Sequence, residues 1–302
     1  MPAISQIISG FQADFKLPFV RFPCTTQPMK QILSIQSSVT LGFVGNSVAG
    51  PVLTAMGHHA LLLDTIALAA HPGYGQKVGH VPTAADFADI LQSLAEFDAL
   101  SQIDLVITGY LGDASQIEPI RQTITTWQTQ NKDAIYILDP VLGDAGTMYV
   151  TPNIAAGITT ELLPIASIIT PNRFELEVLC GIKVHDLDSA ITAAEALLAA
   201  HPHLQAVIAT AIRNQAPDDV GDLLIGRDTP PLWLPAQNGS GIGPRNIPGG
   251  GDLLTAILAG HLADGLDLTQ AVSKASQTAQ TIITHSNSTR DLALIEQLHL
   301  LT

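Results

Sequence analysis

Ala134-Ile135-Tyr136-Ile137-Leu138-Asp139-Pro140-Val141-Leu142-Gly143-Asp144 is an apolar run that stops on two carboxylates set in a Pro/Gly-shaped loop. An apolar run of this length, bounded by turn residues, reads as a fully buried strand. Carboxylates just past such a strand read as a ligand site, because open parallel sheets bind ligands beyond the carboxyl ends of their strands. A plain turn is the bland alternative. The continuation of the loop through Gly146, Thr147, Met148 and Tyr149 favours function.

Outward from this stretch the same unit recurs. Strands are expected at 32–36, 60–66, 105–108, 134–138, 167–169 and 206–209. Helical patterns lie between them at 47–57, 84–100, 115–130, 154–163, 173–180 and 187–200. Repeated strand, helix, strand order predicts an α/β fold, a mostly parallel sheet with helices on both faces. After Thr210 the pattern changes: 222–225 and 232–233 read as an antiparallel edge, followed by a glycine-rich turn and closing helices.

A chain of 302 residues with 46% hydrophobic and 13% charged residues can bury one large core, so 29–302 is expected to form a single domain. Residues 1–28 lack a basic n-region and a continuous apolar core, so they do not read as a secretory signal. Met29-Lys30-Gln31 ahead of Ile32-Leu33 looks like the natural start, which makes 1–28 an expected N-terminal extension outside the fold. The net charge of −14 argues against nucleic-acid and membrane-surface partners. An anionic substrate must then be held by helix N-termini, backbone amides and a divalent cation. Cys24 and Cys180 are widely separated and fit no disulfide framework or zinc site, which suits a reducing cytoplasm.

The strongest local signal is Gly249-Gly250-Gly251-Asp252, followed by Leu253, Leu254, Ile257, Leu258 and Leu262 at helical spacing. Glycines opening a helix present N–H donors to an anion at the positive end of the helix dipole. Asp252 in the first turn can accept the proton of an attacking hydroxyl. The commoner meaning of such a string is a flexible turn and a cap. It matches neither a P-loop nor a dinucleotide fingerprint. Thr170-Pro171-Asn172-Arg173-Phe174-Glu175 resembles a capping box, with Asn172 as N-cap, and the same pair could face Mg²⁺ or its waters. Ser34-Ile35-Gln36-Ser37 ends a first strand at Ser37, and Gly45-Asn46 opens the next helix.

These runs, in this order, resemble the ribokinase-like superfamily and, within it, the vitamin B6 kinases. The likeness also rests on His71-Pro72-Gly73-Tyr74-Gly75, Thr108-Gly109-Tyr110 and Met148-Tyr149-Val150, and it covers nearly the whole chain from Met29. The resemblance implies ATP-dependent phosphorylation of the 5′-hydroxymethyl group of pyridoxal, with Asp252 as base and an anion hole of Gly249, Gly250 and Gly251. It gives Ser37, His71, Pro72, Gly73 and Tyr110 to the substrate pocket, with 63–79 as a covering flap. It gives Asp139, Asp144, Asn172, Glu175 and Thr210 to ATP, and Asp139 and Glu175 to Mg²⁺. It admits a monovalent cation, K⁺, as a further cofactor, and implies a homodimer.

Three residues depart from the family pattern. Pro72 stands where threonine is usual and removes a polar contact. Gly250 replaces a threonine, losing a hydroxyl but keeping the backbone donors. Arg173 adds a cation near the nucleotide. A hydroxymethylpyrimidine kinase and a non-catalytic vitamin-binding protein are the alternatives, the second opposed by the retained Asp252. His58 and His59 read as turn residues without a ligand role, Trp127 and Trp233 as packing residues, and His261 as a core or interface histidine. Tyr74, beside the flap, is open to either reading.

Overall fold

The computed structural model describes residues 29–214, 219–236, 247–286 and 290–302. The expected extension at 1–28 lies outside the described residues. The chain runs β1 (Gln31–Leu41), α1 (Asn46–Ala55), β2 (His59–Ala70), β3 (Gly79–His80), α2 (Ala84–Glu96), β4 (Leu105–Thr108), α3 (Ile117–Gln130) and β5 (Ile135–Leu138). It continues through β6 (Gly143–Asp144), β7 (Thr147–Met148), α4 (Pro152–Gly157), β8 (Ile168–Ile169), α5 (Arg173–Cys180), α6 (Leu187–Ala200) and β9 (Ala206–Arg213). The last elements are β10 (Val220–Gly226), β11 (Leu232–Pro235), α7 (Gly250–Ala263), α8 (Leu268–His285) and α9 (Leu294–Gln297).

Nine strands form one sheet in the order β11-β10-β9-β8-β5-β4-β1-β2-β3. The six from β9 to β2 are parallel, and β10, β11 and β3 pair antiparallel at the edges. Two-residue periodicity divides the strand side chains between two cores. Ile32, Leu105, Ile107, Ile137 and Ile208 pack on one face against α1, α7 and α8. Leu33, Ile35, Val106, Tyr136 and Leu138 pack on the other, against α2, α3, α5 and α6. β1 lies between β2 and β4, so the chain steps to one side of it for β2 and to the other for β4, the strand-order reversal beside which open α/β sheets bind ligands.

The ends of elements differ most from expectation. β1 does not stop at Ser37 but pairs with β2 as far as Leu41↔Ala70, beyond a register shift between Gln36 and Ser38. Ser37 therefore sits at a bulge, a device that re-aims a side chain near a site. The predicted 84–100 helix ends at Glu96, with Asp98 at φ 55° and a separate 3₁₀ turn at Leu100–Gln102. The predicted 154–163 helix begins at Pro152 and breaks into a π turn and a 3₁₀ turn, Leu163–Ile165, where Pro164 has no N–H to continue an α-helix. The long loop after Asp139 contains the β6–β7 hairpin, turned by Ala145 at φ 48° and Gly146 at φ 85°. Positive φ at both central residues is the type I′ pattern that matches strand twist.

His58 is more than a turn residue. It is buried, its Nε2 lies 3.2 Å from the Gly260 carbonyl and 3.5 Å from Asp264, and it ties the end of α1 to α7. Trp127 is a packing residue as expected; its Nε1 donates to the Ile103 carbonyl at 2.9 Å.

Candidate active site

The carboxyl ends of β5, β8 and β9 and the start of α7 surround a cavity of about 520 Å³. Asp139, Asp144, Asn172, Glu175, Thr210, Gly249, Gly250, Gly251 and Asp252 all line it. Residues more than a hundred positions apart are brought together because they come from the carboxyl-terminal parts of neighbouring strands of the same sheet, from the loops after them, or from the start of the helix facing them.

Asp139 directly follows β5 and is buried. Thr255 Oγ1 donates to its Oδ2 at 3.5 Å, and Thr170 Oγ1 lies 2.9 Å from Thr255 Oγ1. Burial, reinforced by the nearby Glu175 and Asp252 carboxylates, pushes the Asp139 pKa well above the usual range. Glu175 forms a full capping box: Asn172 N–H donates to its Oε2 at 2.8 Å, and its own N–H donates to Asn172 Oδ1 at 3.0 Å. Oε1 also accepts from the N–H groups of Leu142 and Gly143, at 3.0 and 3.4 Å, while Asn172 Nδ2 donates to the Gly143 carbonyl at 2.8 Å. The structural reading of this pair thus holds in full, and Glu175 braces the acidic loop against α5. Its pKa is raised to about 8, chiefly by burial, with the backbone donors working the other way.

Asp252 occupies the first turn of α7, behind the N-cap Gly249 at φ 91°. Gly250 N–H closes onto the Ile247 carbonyl at 3.2 Å, and Leu253 N–H reaches back to Gly249 at 2.8 Å. The first amides of a helix have no intrahelical acceptor, so those of Gly251 and Asp252 remain the open donors of this turn. Burial raises the Asp252 pKa, opposed by a hydrogen bond from the Gly45 N–H.

Gly45 joins the two halves of the site. Its φ is 52° and ψ −129°, and a Cβ there would stand 2.1 Å from the Ser37 carbonyl oxygen. The segment between β1 and α1 thereby seats Ser37 beside the Asp252 side of the cavity. Ser37, His71, Pro72, Gly73 and Tyr110 do not line the cavity itself. Ser37 and His71 are buried, whereas Pro72 and Gly73 are exposed in a 3₁₀ turn capped by His71. Tyr110, after β4, takes a hydrogen bond on its hydroxyl from Lys77 at 2.7 Å, a flap residue that sequence reasoning missed. The expected flap is the outer part of β2, the 3₁₀ turn Pro72–Tyr74 and β3. Arg173 is held by Glu177 at 3.3 Å and the Val184 carbonyl at 3.1 Å, on the rim.

Among the described residues no Lys or Arg forms a salt bridge with Asp139, Glu175 or Asp252. Their uncompensated charge suits a divalent cation. No group of three or more His, Cys, Asp or Glu side chains among the described residues could hold an ion alone. Phosphate oxygens and water would complete the shell, as Mg²⁺ ordinarily takes them from a nucleotide.

The raised carboxyl pKa values fix the sign of a stability trend. A carboxyl that binds its proton more tightly when folded contributes stability at low pH, and that contribution is lost as pH rises from the ordinary carboxylate range towards the folded value. Without divalent cation, the melting temperature is expected to fall between about pH 4.5 and pH 8 through Glu175 and its neighbours. Millimolar Mg²⁺ with a non-hydrolysable ATP analogue should flatten that slope. Thermal scans across pH, with and without the pair, measure both; an unchanged slope would refute cation binding at these carboxylates.

Comparison with known proteins gives a consistent set of likenesses. Residues 51–293 match the model of the phosphomethylpyrimidine kinase family. A curated pyridoxal kinase of Rubrobacter xylanophilus is 33% identical, over 87% of this chain and 91% of its own length. The solved pyridoxal kinase from Entamoeba histolytica superimposes with a TM-score of 0.82 at 28% identity, covering 91% of this chain and 96% of that one. The pyridoxal kinase from Leishmania donovani, in complex with ADP and pyridoxamine, gives 0.79 at 29% identity, with coverage of 90% and 95%.

Proposed function

The chain belongs to the phosphomethylpyrimidine kinase family, on its pyridoxal kinase side, and from that premise we propose that it transfers the γ-phosphate of ATP to the 5′-hydroxymethyl group of pyridoxal. The observation that carries the reading is Asp252 in the first turn of α7, beside the open amides of that turn and lining one cavity with Asp139. In this reading Asp252 takes the proton of the hydroxymethyl group as its oxygen attacks the γ-phosphorus in line. The raised pKa of Asp252 makes its carboxylate a stronger base than an exposed aspartate. The Gly251 and Asp252 amides offset the negative charge that develops on the phosphoryl oxygens.

Asp139 would hold Mg²⁺ directly and Glu175 through water, since three backbone donors already occupy the Glu175 oxygens. When bound, that ion supplies charge neutralisation at the transferring phosphoryl group. Thr210 and Asp144 flank the nucleotide, and Ser37, His71 and Tyr110 enclose the pyridine ring. The same reading extends to a cytoplasmic homodimer, to be checked by size-exclusion chromatography with light scattering.

The test is turnover of pyridoxal by the purified protein with Mg·ATP, with hydroxymethylpyrimidine as a second substrate and K⁺ exchanged for Na⁺ in a parallel arm. Formation of pyridoxal 5′-phosphate, with pyridoxal preferred in kcat/KM, is the expected result. A folded, ATP-binding protein that leaves pyridoxal unchanged would overturn the proposal, and turnover of the pyrimidine alone would replace it with that substrate.

A further inference from the structure

Asp291 lies far along the chain from the flap, yet its carboxylate stands between two flap side chains. Oδ1 is 3.6 Å from His71 Nε2, and Oδ2 accepts a hydrogen bond from the Tyr74 hydroxyl. Gly73 N–H donates to His71 Nδ1 at 3.1 Å, so the ring's own proton sits on Nε2 and faces Asp291. The two rings meet edge to face, with centroids 5.0 Å apart and planes at 70°. Arg290 covers the Tyr74 ring at 5.3 Å. Gly42, just past β1 at φ 91°, closes the arrangement: a Cβ there would stand 2.5 Å from Asp291 Oδ1 and 3.1 Å from His71 Cδ2.

Oδ2 takes the Tyr74 hydroxyl hydrogen bond, while Oδ1 meets His71 Nε2 in a polar contact beyond hydrogen-bond length. An amide in place of the carboxylate keeps one acceptor and turns a donor towards the other side chain. His71 is buried, and it precedes Pro72, which has no side-chain polar group to offer a ligand. The setting of the His71 ring therefore carries more of the pocket's shape than it would beside a threonine.

We propose that Asp291 is a positioning residue for the substrate side: it orients the His71 ring, pins Tyr74, and so sets the flap from the C-terminal segment. With Nδ1 engaged by Gly73 and Nε2–H turned to Asp291, His71 meets the ligand with its ring carbons, as a wall. The assignment of that ligand as pyridoxal rests on the function proposed above; the latch itself does not.

Two measurements on the full chain separate them. The first is steady-state kinetics of Asp291→Ala, Asp291→Asn, Asp291→Glu and Tyr74→Phe. Asp291→Ala should raise KM for pyridoxal about tenfold, the scale of one charge-assisted hydrogen bond, with KM for ATP unchanged and kcat within about twofold. Asp291→Glu should recover part of the loss, and Tyr74→Phe combined with Asp291→Ala should be no worse than Asp291→Ala alone. The second is amide hydrogen exchange across 71–80 without ligand, which should quicken in Asp291→Ala and less so in Tyr74→Phe. Wild-type exchange in the flap together with an unchanged KM for pyridoxal, or an equal rise in KM for ATP, would overturn the latch. A wild-type protein inactive on pyridoxal would sink the functional reading, while the exchange data would still decide on Asp291.

Discussion

Asp252→Asn is expected to lower kcat by about 10²–10⁴-fold, the range supplied by a positioned general base, while KM for ATP and for pyridoxal stays near the wild-type value. The substitution keeps the shape and the amide at the helix start, so phosphate binding should survive. It removes one of the two carboxylates, Glu175 and Asp252, whose charge contributes to the raised Asp139 pKa. The variant should therefore melt higher than wild type near pH 8 in the absence of divalent cation, by the linkage argued above. Loss of turnover together with a gain in stability separates a removed base from a damaged fold. A variant retaining more than about a tenth of wild-type kcat would remove Asp252 from the role of base.

The second large effect is expected at Gly45→Ala. The added methyl would stand 2.1 Å from the Ser37 carbonyl, a backbone atom that no rotamer change can move aside. The backbone at φ 52° and ψ −129° is one that only glycine adopts without strain. Relief requires the segment between β1 and α1 to shift, which withdraws the Gly45 N–H from Asp252 and unseats Ser37 at once. Stability should fall by about 2–4 kcal/mol. Because displacement of about 1 Å can cost 10²-fold, kcat/KM for pyridoxal should drop about 100-fold or more. Thermal unfolding and kinetics on the purified variant measure both quantities. A variant with wild-type kcat/KM would show that Gly45 does not link the two halves of the site.

Much of the cavity lining was legible in the chain because each part is local. Asp139 ends an apolar strand, Asn172 and Glu175 form a capping box within four positions, and Gly249 to Asp252 open an apolar helix, so residue order alone placed each at the end of a strand or the start of a helix. The boundaries of α5 and α6 were read correctly for the same reason, since caps and apolar period act within one helical turn. The outer half of β1 and β2 was missed. Those residues are held as strands by pairing with each other and with β3, and their own pattern ends at the Gln36–Ser38 bulge.

The sequence by itself determined the strand and helix order, the two-faced sheet and the identity of the acidic and glycine-rich runs, because these depend on hydrophobic period and local hydrogen bonding. Only the tertiary structure decided that Gly45 abuts the Ser37 carbonyl, that Lys77 reaches Tyr110, and that Asp291 stands between His71 and Tyr74. The last two contacts join residues from separate crossovers of the sheet. Their existence depends on distance in the folded chain, which no spacing along the sequence encodes.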